Sequence, residues 1–225
     1  MREDLKLPAE LIEEYKKLDT PSISDAMDKL HIYGGLLGIK PVVPDTYLCG
    51  QAFTVHYVPC GETKGTVGDF LDDVEPGEVC VIDNNGRLDC TVWGDIMAYF
   101  ASYKGVSGTV IDGVCRDINT IRELKYPIFT KGTFMETGKD RVYVDRVNET
   151  VNISGVQVNP GDLVVGDNTG VVVVPRTRAA EVLAVAQNIE KVEQQIREKI
   201  RAGMSLREAR AQTGYHHLQT PDEEK

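Results

Sequence analysis

The sequence predicts one mixed α/β domain. Three features predict it: strand-like and helix-like stretches alternate through the middle of the chain, a β-rich block follows, and a long amphipathic stretch comes after that. No change of composition marks a linker and no segment repeats, so the 225 residues are read as a single unit. Within it, 1–18 should hold an N-terminal helix, 19–203 the α/β domain, and 204–225 a short helix and a flexible tail.

Leu7, Leu11, Tyr15 and Leu18 recur at helical spacing. A second helix should start at Thr20-Pro21, Thr as cap and Pro in the first turn, and run through SISDAMDKL. The glycines and prolines of GGLLGIKPVVPDTYLCG mark a loop, and QAFTVHYV and EVCVIDN read as strands. A helix from Asp95 to Tyr103 should end at Gly105. TVIDG then reads as a buried strand with a turn at Asp112-Gly113, INTIRELK as a helix and YPIFTKG as a strand, which implies at least one parallel pair. RVYVDRV, TVNISGVQV and DLVVGDNTGVVVVP supply the β-rich block, with turns at Asn-Pro-Gly-Asp and Asp-Asn-Thr-Gly. Thr177 is placed to cap a long helix through Gly203, whose apolar positions Val182, Val185, Ile189, Val192, Ile196 and Ile200 form one seam. Ser205 and Glu208 have capping-box spacing, and YHHLQTPDEEK reads as a frayed tail.

Composition narrows the function. A net charge of −10 without a basic stripe argues against nucleic acid as a partner, because phosphate recognition needs clustered Lys and Arg. The polar, acidic start is unlike a signal peptide, and no apolar run approaches membrane-spanning length, so a soluble, cytoplasmic protein without a membrane partner is expected. Five cysteines without a CxxC pair read as reduced, mostly buried thiols. His31 and His56 are isolated and His216-His217 lies in the tail, so no H-x3-H zinc pair exists, and the glycines at 34, 35 and 38 match no phosphate-loop pattern. The lack of a Gly-rich nucleoside-binding turn also counts against a methyltransferase.

The stretch WGDIMAYFASYKGVSGTVIDGVCRD carries the candidate chemistry. Twenty residues separate Asp95 from Arg116, and Asp117 follows at once. A helix followed by a strand running back against it would bring the two acids and the arginine to one sheet edge. The free N–H groups of Gly94, Asp95, Ile96 and Met97 can hold a carboxylate at the helix N-terminus. Asp117 can anchor a hard divalent ion, since Mg²⁺ often takes only one or two protein carboxylates. Arg116 can stabilise charge growing on a substrate carbonyl oxygen, and Asp95 can orient or deprotonate a metal-bound water. Together these parts suit a 2-oxo acid whose C–C bond breaks to leave an enolate. Each residue also has a purely structural reading: Asp95 as a first-turn acid, Asp117 as a helix cap, Arg116 in a surface ion pair.

The segments LDTPSISDAMDKL, GQAFTV, WGDIMAYFASYKGVSGTVIDGVCRD and GDNTGVVVVP, followed by the long charged helix, resemble the RraA-like family over roughly Leu18 to Gly203. That family includes 4-hydroxy-4-methyl-2-oxoglutarate / 4-carboxy-4-hydroxy-2-oxoadipate aldolases and the regulator of ribonuclease activity A. The resemblance implies a compact α/β domain with a swivelling ββα-type core and a mixed sheet, assembled as homotrimers or homohexamers with sites between subunits. It implies a Mg²⁺ or Mn²⁺ ion on Asp117, Arg116 on the pyruvyl oxygen, and Gly94 to Met97 on the pyruvate carboxylate. The implied activity is a class II pyruvate aldolase or oxaloacetate decarboxylase, with pyruvate, oxaloacetate and 4-hydroxy-2-oxo acids as ligands. The other branch implies a non-catalytic regulator that binds a ribonuclease. One position departs from the aldolases: Thr120 stands where they carry Glu or Asp, three residues after the metal aspartate.

Overall fold

A computed structural model describes residues 3–215 and 218. The elements are α1 (Ala9–Tyr15), α2 (Thr20–Lys29), β1 (Lys40–Pro41), β2 (Leu48–Pro59), β3 (Val79–Asp83), α3 (Asp95–Lys104), β4 (Gly108–Cys115), α4 (Ile118–Leu124), β5 (Ile128–Thr133), β6 (Val142–Val147), β7 (Val151–Ile153), β8 (Val156–Val158), β9 (Leu163–Gly166), β10 (Val171–Val174), α5 (Ala179–Arg201) and α6 (Leu206–Thr213). The main sheet runs β1-β5-β4-β3-β2-β9-β10, with β6 also paired to β2. Its centre, β2-β3-β4-β5, is parallel, and α3 and α4 are the crossovers. The outer pairs are antiparallel. The expected mixed α/β domain with a mixed sheet and a long C-terminal helix is what forms.

The sheet nearly closes on itself. Gly35 bridges to Val172 on one edge strand, while Lys40 and Pro41 pair with β5 at the other, so seven residues of the loop-like segment tie the two edges together. The closed face holds Leu36, Ile39, Leu48, Val79, Val81, Val110, Phe129, Val164, Val171 and Val173, plugged at one end by the β7–β8 hairpin. Alternate residues of the same strands point outward. Cys80, Ile82, Ile111 and Ile128 pack with Trp93, Ala98, Ala101 and Ile121 beneath α3 and α4. Leu163, Val165, Val172 and Val174 pack beneath α1, α2 and α5. The sheet is therefore apolar on both faces, which is why its central strands read as continuous hydrophobic runs.

Several local expectations change. Asp19, not Thr20, caps α2: its Oδ1 accepts the Ser22 N–H at 2.9 Å. Thr20 instead gives its N–H and hydroxyl to Asp167, both at 2.8 Å, which fastens α2 to the β9–β10 turn. Thr177 lies in a 3-10 turn, Arg176–Arg178, and α5 starts at Ala179 without a side-chain cap. Asp112-Gly113 is no turn; both residues lie buried inside β4. The capping box of Ser205 and Glu208 and the left-handed Gly105 after α3 form as expected. Of the expected tail, residues 216–217 and 219–225 lie outside the described residues.

Closing the sheet leaves no room at Gly34, whose carbonyl accepts the Val173 N–H at 2.8 Å. A Cβ there would run into Val173 O and Met27 Cε, whereas one at Gly35 would meet nothing within 4 Å. Gly34→Ala should therefore lower unfolding stability by about 1–3 kcal/mol, and Gly35→Ala by far less. Urea denaturation of both variants measures the difference.

Candidate active site

The site begins where α3 starts and β4 ends. Trp93 is 1% exposed and stacks on Tyr126, ring centroids 5.9 Å apart and planes within 7°, which fixes the chain just before α3. Trp93 O accepts the Arg116 N–H at 3.0 Å, so the exit of β4 is tied directly to the entry of α3. Between them Gly94 leaves no space for a side chain: a Cβ would lie 2.6 Å from Asp117 Oδ2 and 3.3 Å from Arg116 Nε.

The side chains meet across that gap. Asp117 Oδ2 accepts the Asp95 N–H at 3.2 Å and lies 3.4 Å from Arg116 Nε. Asp95 Oδ1 accepts the Ile96 N–H at 2.8 Å. Asp117 holds a left-handed backbone, φ 58° and ψ 40°, and stands at the N-terminus of α4 without using its side chain as a cap. The structure thus brings Gly94, Asp95, Ile96, Arg116 and Asp117 together, with Met97 one residue further into the helix. Arg116 and Asp117 are each more than a third exposed, so their pairing is weakened by solvent.

A cavity of about 430 Å³ opens beside this cluster, lined by Gly94 to Met97, Arg116 and Thr91 to Trp93. Its far wall comes from distant chain, Gly65 to Gly68, Thr137 and Lys139. Those residues carried no signal of their own in the sequence. Their place follows from pairing: Thr91 bridges to Thr137, and its N–H and hydroxyl both reach Glu136 O at 2.9 Å. The far-wall loop is held by Tyr57, whose hydroxyl donates to Val67 O, and by the Val144 N–H on Thr66 O at 3.1 Å. Asp117 stands behind Gly94 and is not part of the cavity lining.

Other groups near the cluster are held inert. Burial pushes the Cys115 thiol, directly before Arg116, up to about 12, so it stays protonated and is no nucleophile at neutral pH. Burial likewise raises the Tyr126 phenol far above its usual value. Thr120 is exposed on α4, one turn after Asp117. Among the described residues no three His, Cys, Asp or Glu side chains converge as a ready metal cage. A single partly exposed carboxylate, with a second acid nearby, does fit a hard divalent ion that keeps most of its water.

The model of the RraA-like family (Aldolase/RraA) matches residues 20–173, more than half of the chain. The chain belongs to the RraA-like family. The protein DlpA of Legionella pneumophila is 40% identical over 204 residues, 89% of this chain and 33% of that protein. The chain therefore spans about a third of the length of that relative. A Halalkalibacterium halodurans protein provisionally named 4-hydroxy-4-methyl-2-oxoglutarate aldolase is 33% identical over 178 residues, covering 79% of this chain and 82% of its own. Among solved structures, an uncharacterized protein of Pseudomonas syringae pv. tomato superposes with a TM-score of 0.86 at 46% identity, covering 91% of this chain and 98% of its own. Streptomyces coelicolor RraAS2, described as an unusual member of the RNase ES inhibitor RraA protein family, gives 0.77 at 29% identity, with 84% of this chain and 96% of its own covered. Among the described residues, no helix is long and apolar enough to cross a membrane.

An aspartate in the left-handed region costs backbone energy, roughly 1 kcal/mol relative to glycine. Asp117→Gly removes that strain together with the hydrogen bond to the Asp95 N–H. Its unfolding free energy should stay within about 1 kcal/mol of the parent in urea denaturation, because the two changes offset each other.

Proposed function

We propose that this chain is a divalent-metal-dependent lyase that breaks a C–C bond of a 2-oxo acid through a pyruvate enolate. It would act as a 4-hydroxy-2-oxo acid aldolase, an oxaloacetate decarboxylase, or both. The supporting observation is the junction itself: a helix N-terminus, an arginine and two aspartates meet beside one cavity of small-molecule size. The names of the aldolase relatives point the same way.

In this reading the α3 N-terminus takes the substrate carboxylate, which its partial positive charge favours. The Ile96 N–H is already held by Asp95 Oδ1, so an incoming carboxylate displaces that side chain and frees Asp95 to handle a proton. Arg116, fixed through its own N–H, presents its guanidinium to the 2-oxo oxygen, where negative charge grows as the bond breaks. Asp117 would hold Mg²⁺ or Mn²⁺, which supplies Lewis-acid polarisation of the 2-oxo acid. In the aldol cleavage the C4 hydroxyl loses its proton, the C3–C4 bond breaks, and its electron pair becomes the enolate of pyruvate, which is then protonated at C3. In decarboxylation the same enolate forms as CO2 leaves. Lys139, which also lines the cavity, would pair with a second carboxylate of an aldol substrate.

The homotrimer or homohexamer belongs to the same reading. Its support is an apolar strip on α3, Ile96, Tyr99 and Tyr103, which are 79%, 65% and 84% exposed and start at the cavity with Ile96. The likeness to RraAS2 favours a second reading, a non-catalytic regulator that binds a ribonuclease through its surface. Stoichiometric inhibition of purified ribonuclease would support that reading, and its absence would remove it.

Pyruvate release from oxaloacetate and from 4-hydroxy-2-oxo acids tests the lyase. Activity should vanish with EDTA and return with Mg²⁺ or Mn²⁺. Asp117→Asn and Arg116→Lys should each lower kcat by about 10²-fold or more. Metal-independent turnover, or full activity in Asp117→Asn, would overturn the mechanism. Lys139→Met should raise KM by roughly tenfold for a 4-hydroxy-2-oxo dicarboxylate, and leave KM for the matching monocarboxylate unchanged.

A further inference from the structure

On the opposite face of the sheet from the cavity lie three charged residues: Asp83 ends β3, while Asp112 and Lys131 lie within β4 and β5. Asp83 and Asp112 are register partners on adjacent parallel strands, 6% and 5% exposed. Lys131 of β5 places Nζ 2.5 Å from Asp112 Oδ1. Among the described residues that oxygen makes no well-angled hydrogen bond, and the ammonium is its ion-pair partner. Asp112 Oδ2 accepts the Ser154 N–H at 2.8 Å, and Asp83 Oδ2 accepts the Asn152 N–H at 3.2 Å, so both acids also hold the β7–β8 hairpin.

The ion pair spans an irregularity in β4. Ile111 pairs with Thr130 but Val114 pairs with Gly132, so three residues of β4 advance against two of β5. Asp112 and Gly113 form the resulting bulge, opposite Lys131. Bulges re-aim the strand beyond them. Here Val114 and Cys115 re-pair with β5, and the strand then delivers Arg116 and Asp117 against Trp93 and Gly94. The bulge is gripped from both sides: Asp112 O accepts the Gly86 N–H at 3.1 Å, and its carboxylate is tied to Lys131 and the hairpin.

We propose that Asp112 and Lys131 are a positioning pair for the site on the other face. Their ion pair closes the β4 bulge and so sets where Arg116 and Asp117 emerge relative to the α3 N-terminus. Neither residue touches the cavity. The catalytic part of this inference rests on the lyase reading, whereas its geometric part does not. A reacting group displaced by about 1 Å can cost roughly 10²-fold in rate, so the pair should act on turnover rather than on substrate binding.

The test combines kinetics with hydrogen exchange in the full chain. Lys131→Met should lower kcat at least tenfold with KM changed less than threefold, and Lys131→Arg, which keeps the ion pair, should recover to within threefold of the parent. Amides of residues 112–117 should exchange at least tenfold faster in Lys131→Met, while those of β9 and β10 keep their protection. Where the unpaired buried charge of Asp112 keeps Lys131→Met from folding, Asp112→Asn/Lys131→Met removes both charges and should show the same kinetic and exchange changes. Unchanged exchange at 112–117, faster exchange spread over the whole sheet, or parental kcat in an active enzyme would each overturn the proposal. A parent inactive on every 2-oxo acid would defeat the lyase reading instead, and exchange at 112–117 would then decide the geometric claim by itself.

Discussion

The hydrogen bond from the Arg116 N–H to Trp93 O is the constraint from which the candidate site follows. It joins two chain points that a ten-residue helix and an eight-residue strand would otherwise leave apart. The helix covers roughly 15 Å and the strand roughly 26 Å, and they run in opposite directions, so entry of one and exit of the other share an end of the sheet. With the two backbones in contact, a side chain at 94 is excluded, and Asp117 reaches the first N–H of α3. Buried anchors hold both partners: Trp93 lies against Tyr126, and Cys115 is fully buried. The junction can therefore keep exposed, partly competing charges in fixed relation without drawing its stability from them.

The surrounding sheet makes that junction rigid. Its inner face is filled with Val, Ile, Leu and Phe, and its outer faces are covered by separate helix layers, so each central strand is held from both sides. Interiors packed to this degree transmit displacement rather than absorb it. A charge pair on the inner face can accordingly govern a site on the outer one, because a strand carries both. Among the departures from regular structure in the chain, three lie here: a bulge at Asp112-Gly113, a left-handed Asp117 and a Gly94 with no room for a side chain. Such departures persist where surrounding structure over-determines them, and they are where function and foldability make different demands.

The parts legible in the sequence are those fixed by nearby residues. Gly105 ends α3 because only a left-handed residue turns the chain there, and Ser205 with Glu208 starts α6 through a box three residues long. The meeting of Asp95 with Arg116 and Asp117 was legible for a similar reason, since one helix and its return strand settle it. Closure of the sheet was not legible. Residues 34–41 look like a loop because their partners, β10 and β5, lie about 90 to 140 positions away. The place of Lys139 in the cavity lining was not legible for the same cause: Thr91 seats its loop through a non-local bridge. Asp112-Gly113 mimics a turn in sequence, and only the lysine across the bulge shows why an aspartate is buried in a strand. Asp19 and Thr20 are neighbours of similar capping ability, and the demand of Asp167 for Thr20 decides between them.

Charge balance joins the departure at Thr120 to the far wall of the cavity. Asp95 and Asp117 against Arg116 leave the junction one negative charge in excess, and a divalent ion would turn that into one positive charge. Lys139 adds another. With an acid at 120 the same set would lose a positive charge; threonine keeps it. In the proposed reading a site of net charge near +2 is matched to a substrate with two carboxylates, one at the α3 N-terminus and one at Lys139. A monocarboxylate would leave Lys139, which is exposed, paired with solvent alone. In that reading the threonine at 120, where the aldolases this chain resembles usually carry an acid, leaves the set one negative charge poorer than theirs.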